Sequence, residues 1–333
     1  MPSKKRPWVA ITATEDLPVA MPPVRAALKG IAPVKTVPLP YSPLSAAEET
    51  KFAKMLQGAA GMLLRPGYIT ATLLDQLPDV KIIAVHGAGV DQVDVDACTE
   101  RGVLVTNAPG ANADAVAELT FCLMINLARR VQEGASRVHN ERVWGEARHT
   151  GSELKGKMLG LVGIGQIGGR VARIAQAFGM KVCSHDPGLA AKDIRALGVK
   201  PVKLEALLAD ADYVSLHAPH IPSTHHLINR QSLSRMKKGA FLINAARGAL
   251  VDEIAVARAL TSGRLGGAAL DVLEGEPPNP KSPIFDAPNI LLTPHMAGST
   301  NECLDTIAGT AAADIARFLQ NKRPKHRVNK PRK

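Results

Sequence analysis

The chain alternates short apolar runs with stretches of helical composition. In the first hundred residues the apolar runs are WVAITA (8–13), VKTVPL (34–39), GMLL (61–64), KIIAV (81–85) and VLVT (103–106). Between them, segments such as AAEETKFAKMLQ (46–57) space Leu and Met among charges. Strand and helix in alternation predict a parallel sheet wrapped by helices.

A long helix is predicted next, from about Ala113 to Arg130, with Asn112 or Asp114 as N-cap and Arg129 and Arg130 at its negative end. It is the expected crossing between two domains. Residues 139–157 are polar and irregular. A second, cleaner series then begins: KMLGLVG, GMKVCSHD, DYVSLHAP, GAFLINAA, GGAALDV and NILLTPH, each separated from the next by a helical segment. From 158 to 295 this reads as a doubly wound nucleotide-binding domain. A last helix, roughly Glu302 to Gln320, is expected to return to the first domain and make it discontinuous.

Composition fits that reading. A length of 333 residues suits two domains, and 46% apolar with 21% charged residues suits globular cores. Aromatics are only 3%, so the cores must be built from Ala, Val, Leu and Ile. The formal charge of +11 resembles a nucleic-acid signal until it is located. Lys4, Lys5 and Arg6, with Lys322, Arg323, Lys325, Arg327, Lys330, Arg332 and Lys333, supply ten positives without an acid among them, leaving about +1 for the body. These terminal segments read as solvated, frayed ends, with a polyanion-binding tail as the alternative, and no nucleic-acid partner is expected.

Cys98, Cys122, Cys183 and Cys303 are widely spaced, which predicts a reducing compartment, no disulfide and no metal site. WVAITA meets Glu15 and Asp16 too soon to be a signal-peptide core, and LTFCLMINLA (119–128) is about half a bilayer span. A cytoplasmic protein without a membrane partner is expected.

Chemistry enters at LGLVGIGQIGGRVARIAQAFGMKVCSHD. Gly163, Gly165 and Gly168 have the spacing G-x-G-x-x-G between a strand and a helix, and Asp186 ends the following strand. Gly163 permits the tight turn, Gly165 lets backbone approach a pyrophosphate, and Gly168 lets helix and strand pack closely. The helix N-terminus offers free N–H groups to the anion. Asp186 suits a ribose diol and would repel a 2′-phosphate, so NAD is favoured over NADP.

A nicotinamide enzyme acting on a carbonyl needs a proton donor and a cation to polarise the oxygen, both at the carboxyl ends of the strands. Arg247 in NAARGALVDE, Asp271 and Glu276 in ALDVLEGEPP, and His295 after ILLTP occupy such places. With HGAGVDQVD (86–94), NAPGANADAVAELT, GIGQIG and TPHMAG, these segments resemble the D-isomer-specific 2-hydroxyacid dehydrogenases, the family of phosphoglycerate, glycerate/hydroxypyruvate and D-lactate dehydrogenases. The likeness covers nearly the whole chain.

That resemblance implies an α/β architecture of two doubly wound parallel-sheet domains. A Rossmann NAD-binding domain, residues 108–296, is inserted into a discontinuous flavodoxin-like substrate domain, residues 1–107 and 297–333. It further implies that Arg247 bridges the substrate carboxylate and its C2 oxygen, a bidentate task for a guanidinium. His295 acts as acid and base, and Glu276 orients its ring and raises its pKa. Asp271 faces the nicotinamide. Gln166, Ile167, His217, Ala218, Pro219, Thr224, Ala245, Ala246, Arg247, His295 and Ala297 join the glycine loop and Asp186 around the dinucleotide. His220, His225 and His226 sit in a loop near it.

The backbone amides of Gly87, Ala88 and Gly89 are expected to hold the substrate carboxylate. His86 either touches substrate or packs, and Arg65 either reaches a second polar group on the substrate or is a surface arginine. The substrate expected is a small 2-oxoacid such as glyoxylate or hydroxypyruvate, reduced to its D-hydroxyacid by a homodimer. Phosphoglycerate is the alternative, without serine feedback, since the last helix is followed only by the tail to Lys333. Glu276 stands where formate dehydrogenase has Gln. The rival of another class is an NADH-sensing corepressor.

Overall fold

A computed structural model describes residues 7–145 and 150–332. Lys4, Lys5, Arg6, residues 146–149 of the polar stretch and Lys333 lie outside the described residues. The chain forms two compact units, Met1–Asn112 with Ser299–Lys333, and Ala113–Gly298.

The first unit holds strands β1 (Trp8–Thr12), β2 (Val34–Val37), β3 (Ala59–Leu64), β4 (Ile82–Val85) and β5 (Leu104–Thr106). They pair in the order β2-β1-β3-β4-β5, every pair parallel. This is the flavodoxin-like order. Val9, Ala10, Ile11, Ile82, Ile83 and Ala84 are wholly buried. Both faces of the central strands are therefore covered, and that is why they appear in the sequence as continuous apolar runs rather than alternations.

Helix Asn301–Leu319 covers this sheet with a stripe at Ile307, Ala308, Ala311, Ala312, Ile315 and Ala316, the spacing of one helical face. Thr300 caps its start by accepting from the Cys303 amide at 3.2 Å. A Cβ added to Gly61 on β3 would stand 3.4 Å from Ile315 Cγ2, so the glycine admits the helix closely.

The C-terminal tail departs from the frayed segment expected of it. Its described part lies antiparallel along the edge strand β5: Asn107 N donates to His326 O, Val328 N to Val105 O and Arg332 N to Thr99 O. The buried side chain of Asn329 accepts from Val105 N at 2.8 Å and donates to Val103 O and Thr99 Oγ1. Upstream, the buried Asp314 carboxylate accepts the amides of Lys325 and His326. Charge counting sees only the cations; the tail's backbone and Asn329 satisfy groups that an open sheet edge leaves unpaired.

The second unit holds β6 (Met158–Val162), β7 (Lys181–His185), β8 (Lys200–Pro201), β9 (Tyr213–Leu216), β10 (Ala240–Asn244), β11 (Leu265–Leu270) and β12 (Ile290–Leu292). Their order is β12-β11-β10-β9-β6-β7-β8, again all parallel. Read from β8, this is the Rossmann order with a seventh strand added. The order reverses between β6 and β9, and ligands of such sheets bind at that reversal, outside the carboxyl ends.

Helix Ala113–Arg129 opens the unit. Neither expected cap performs that role: Asn112 Oδ1 is buried without a partner among the described residues, and Asp114 pairs with Arg170. The Asp114 carboxylate lies within the first turn, where an external cation can reach it. Among the described residues, no helix is long and apolar enough to cross a membrane.

Candidate active site

The glycine loop leaves β6 and enters helix Gln166–Ala177 with Gly165 at its N-cap. Gly163 has φ +89°, and a Cβ there would lie 2.7 Å from His217 O. At Gly168 a Cβ would lie 2.4 Å from Gly163 O, whereas at Gly165 it meets nothing within 4 Å. Two glycines are thus required by close backbone approach, and the third faces open space at a helix N-terminus. A diphosphate fits such a cradle. Gln166 Oε1 accepts from Arg170.

Asp186 does more than end β7. Its Oδ2 accepts the Ile164 amide and its Oδ1 the Gly188 amide, both at 2.9 Å, so it braces the glycine loop. Ile167 packs beside a small buried cluster of Val116, Ala245 and Ala297. After β9, His217 has its Nε2 2.9 Å from Ser215 Oγ, and its Nδ1 is buried without a hydrogen-bond partner among the described residues. Burial pushes its pKa down to about 4, so the ring is neutral. Ala218 and Pro219 follow, and Thr224 Oγ1 closes the next turn by donating to Pro219 O and accepting from Ile221 N.

Three adjacent strands deliver the polar residues. At the end of β10 the buried Asn244 side chain accepts from Ala246 N at 3.0 Å and donates to Arg247 O at 2.8 Å, fixing the backbone that presents Arg247. A Cβ on the next residue, Gly248, would sit 2.0 Å from the Leu273 carbonyl carbon. Only glycine lets the Arg247 turn press against the loop leading to Glu276.

Asp271 follows β11 and is buried. Its Oδ1 accepts from Thr293 Oγ1 at 2.6 Å and Met296 N at 2.9 Å; its Oδ2 accepts from Ala297 N at 2.9 Å. Its main-chain oxygen accepts from His295 N at 2.8 Å. Asp271 therefore builds the Thr293–Ala297 turn. His295 sits in that turn with φ +50°. Its Nδ1 is 2.6 Å from Glu276 Oε2. The Glu276 hydrogen bond raises the His295 pKa against desolvation, with attraction to Glu276 and Asp271 adding to the rise and Arg247 opposing it. Asn244 and Thr293 were not singled out in the sequence. Their signal is a polar residue at the end of an apolar strand.

The remaining candidates lie in the first unit. His86 Nε2 and Arg65 Nη1 are buried without hydrogen-bond partners among the described residues. Burial, and next the Arg65 charge, push the His86 pKa down to about 4. Thr12 Oγ1, another residue not singled out, accepts the Arg65 amide at 2.9 Å. One expectation needs correction: the Gly87 amide is engaged with Val85 O at 2.9 Å, because the chain turns tightly on leaving β4. Ala88 O is held by Asn107 Nδ2 at 2.6 Å. Among the described residues the amides of Ala88 and Gly89 make no hydrogen bond. Arg247, Asp271, Glu276 and His295 come together in one unit, and Arg65 and His86 in the other.

Residues 121–297 match the family described as D-isomer specific 2-hydroxyacid dehydrogenase, NAD binding domain. The chain belongs to this family. A family relative, the glyoxylate reductase of Aeropyrum pernix, is 39% identical over 292 residues, covering 85% of this chain and 86% of the relative. The D-3-phosphoglycerate dehydrogenase of Methanocaldococcus jannaschii is 37% identical over 83% of this chain, but the match spans only 53% of that longer protein. Among solved structures of the family, the D-lactate dehydrogenase of Aquifex aeolicus, complexed with NAD and lactic acid, is 30% identical at a TM-score of 0.82, covering 97% of this chain and 100% of that one. The second unit of this family member is thus its NAD-binding domain.

Proposed function

We propose that the protein is an NAD-dependent oxidoreductase that reversibly reduces a small 2-oxoacid, such as glyoxylate or hydroxypyruvate, to the D-2-hydroxyacid. The observation that carries the reading is the His295–Glu276 contact of 2.6 Å, formed on the unit that also carries Arg247 and the glycine cradle.

The dinucleotide would lie with its diphosphate on the Gly163–Gly168 loop and its adenosine ribose toward Asp186. That carboxylate disfavours the extra phosphate of NADP. When bound, the reduced nicotinamide supplies a hydride to C2 of the substrate. Arg247 holds the carboxylate and polarises the carbonyl oxygen, and the imidazolium of His295 gives that oxygen a proton through Nε2 while Nδ1 stays on Glu276. In the oxidation direction the neutral ring accepts the hydroxyl proton. Neutral His217, Ala245, Ala246, Ala297, Pro219 and Thr224 line the cofactor's place in this reading, and Asp271 acts by shaping the His295 turn. In the first unit, the amides of Ala88 and Gly89 make no hydrogen bond among the described residues and are available to donate to an anion.

Arg65 favours a second reading within the same chemistry. A buried guanidinium nitrogen without a partner among the described residues is costly unless an anion meets it, so a substrate with a second anionic group, such as phosphoglycerate, fits it. A panel of 2-oxoacids and their phosphorylated forms, run with NADH and with NADPH, separates these readings. Tight NADH binding without turnover on any of them would instead favour the sensor. Family likeness extends the proposal to a homodimer acting in the cytoplasm.

A further inference from the structure

The loop after β9 carries three histidines that hydride transfer does not use. His226 has a left-handed backbone, φ +46°, held by its amide donating to Ala249 O at 2.8 Å and by Asn229 Nδ2 donating to its own carbonyl at 2.9 Å. Neighbours on an extended chain point to opposite sides. Here the turn brings the rings of His225 and His226 into a stack, with centroids 4.0 Å apart and 18° between planes. From the β11–β12 connection, Glu274 brings Oε2 to 2.8 Å from His226 Nε2. One ligand atom each from His225, His226 and Glu274 falls within a mutual distance of 4.8 Å.

We propose that His225, His226 and Glu274 form a binding site for a divalent transition-metal ion of the zinc class. Two imidazole nitrogens and one carboxylate oxygen are a donor set that zinc accepts, with water completing the tetrahedron. Calcium and magnesium demand oxygen donors and do not fit. Zinc bonds of about 2.0–2.2 Å place tetrahedral donors roughly 3.4 Å apart. Closing the group from 4.8 Å to that spacing calls for rotation of the side chains, of which His225 and Glu274 are exposed. His220 Nε2 lies 3.2 Å from His225 Nδ1, a contact that steadies that ring.

Cysteine spacing gives no sign of this site, because its ligands come from two connections and no thiol takes part. An ion here fastens the His220–His226 loop to the segment Leu273–Glu276. The site is read by metal binding alone and does not depend on the dehydrogenase reading.

The intact protein, freed of metal by dialysis against a chelator, is titrated calorimetrically with zinc chloride. Cobalt(II) is followed in parallel by its visible absorption. One zinc per chain is expected at this site, with tetrahedral cobalt bands. His226→Gln and Glu274→Gln should each weaken zinc by about tenfold or more. The triple change His225→Gln/His226→Gln/Glu274→Gln should remove the site while circular dichroism and thermal unfolding show a folded protein. Equal stoichiometry and affinity in the wild type and the triple variant, or no zinc uptake by the wild type, overturns the proposal.

Discussion

Asp271 fixes the position of His295 without touching its ring: its main-chain oxygen accepts the His295 amide at 2.8 Å, and its carboxylate gathers Thr293, Met296 and Ala297. Asp271→Asn keeps the shape but turns one acceptor into a donor facing donors. A buried unsatisfied polar group costs about 1–3 kcal/mol. The variant is therefore expected to lose about that much stability in urea unfolding and to turn over more slowly. Wild-type values for both would remove Asp271 from this role.

The proton donor can be tested directly. His295→Ala should lower turnover by about 10²–10⁴-fold, the usual worth of general acid–base catalysis. NADH affinity by fluorescence should change little, since the glycine cradle is untouched. Survival of turnover would move the chemistry elsewhere.

Imidazolium donates and imidazole accepts, so reduction should hold at low pH and fall as pH rises through the His295 pKa. Oxidation should show the mirror profile. Glu276 raises that pKa; in Glu276→Gln the fall in reduction should therefore move to lower pH. With its folded pKa above its unfolded value, His295 contributes stability that is complete below the unfolded pKa and is lost as pH rises through the folded one. Paired pH–rate profiles of wild type and variant check the shift, and coincident inflections would count against Glu276 as the cause.

Asp186→Ala removes the proposed ribose partner, one brace of the glycine loop at Ile164 and the local contact to the Gly188 amide. NADH should bind more weakly and its lead over NADPH should narrow, as read by fluorescence titration of both. A preference that stays intact would mean that other residues discriminate.

Asn329→Ala deletes one acceptor and two donor contacts at the β5 edge. The orphaned Val105 amide should cost about 1–3 kcal/mol in chemical unfolding. A frayed tail would show no loss.

These cases mark what is legible in a sequence of this kind. Strands such as KIIAV stand out because a parallel sheet covered on both faces leaves continuous apolar runs. The glycine spacing is legible because close backbone approach forbids a side chain at Gly163 and Gly168. His295 and Glu276 are legible as reactive residue types in the segments that follow β12 and β11, although residue type alone does not show their 2.6 Å contact. What escapes is the use of individual polar groups. The tail's charges gave no hint of Asn329, the Gly87 amide is spent on Val85, and Asn112 does not cap its helix. Such matches depend on which donor meets which acceptor after folding, and residue type alone does not specify that.

The docked tail has a last consequence. A bare outer strand is a template on which a neighbouring molecule can build. By lying across β5 in the opposite direction and surrounding it with Arg327, Lys330 and Arg332, the C-terminal segment shields that template with its own amides and repels like-charged copies. Prying it loose is expected to promote edge-to-edge aggregation, read as rising turbidity.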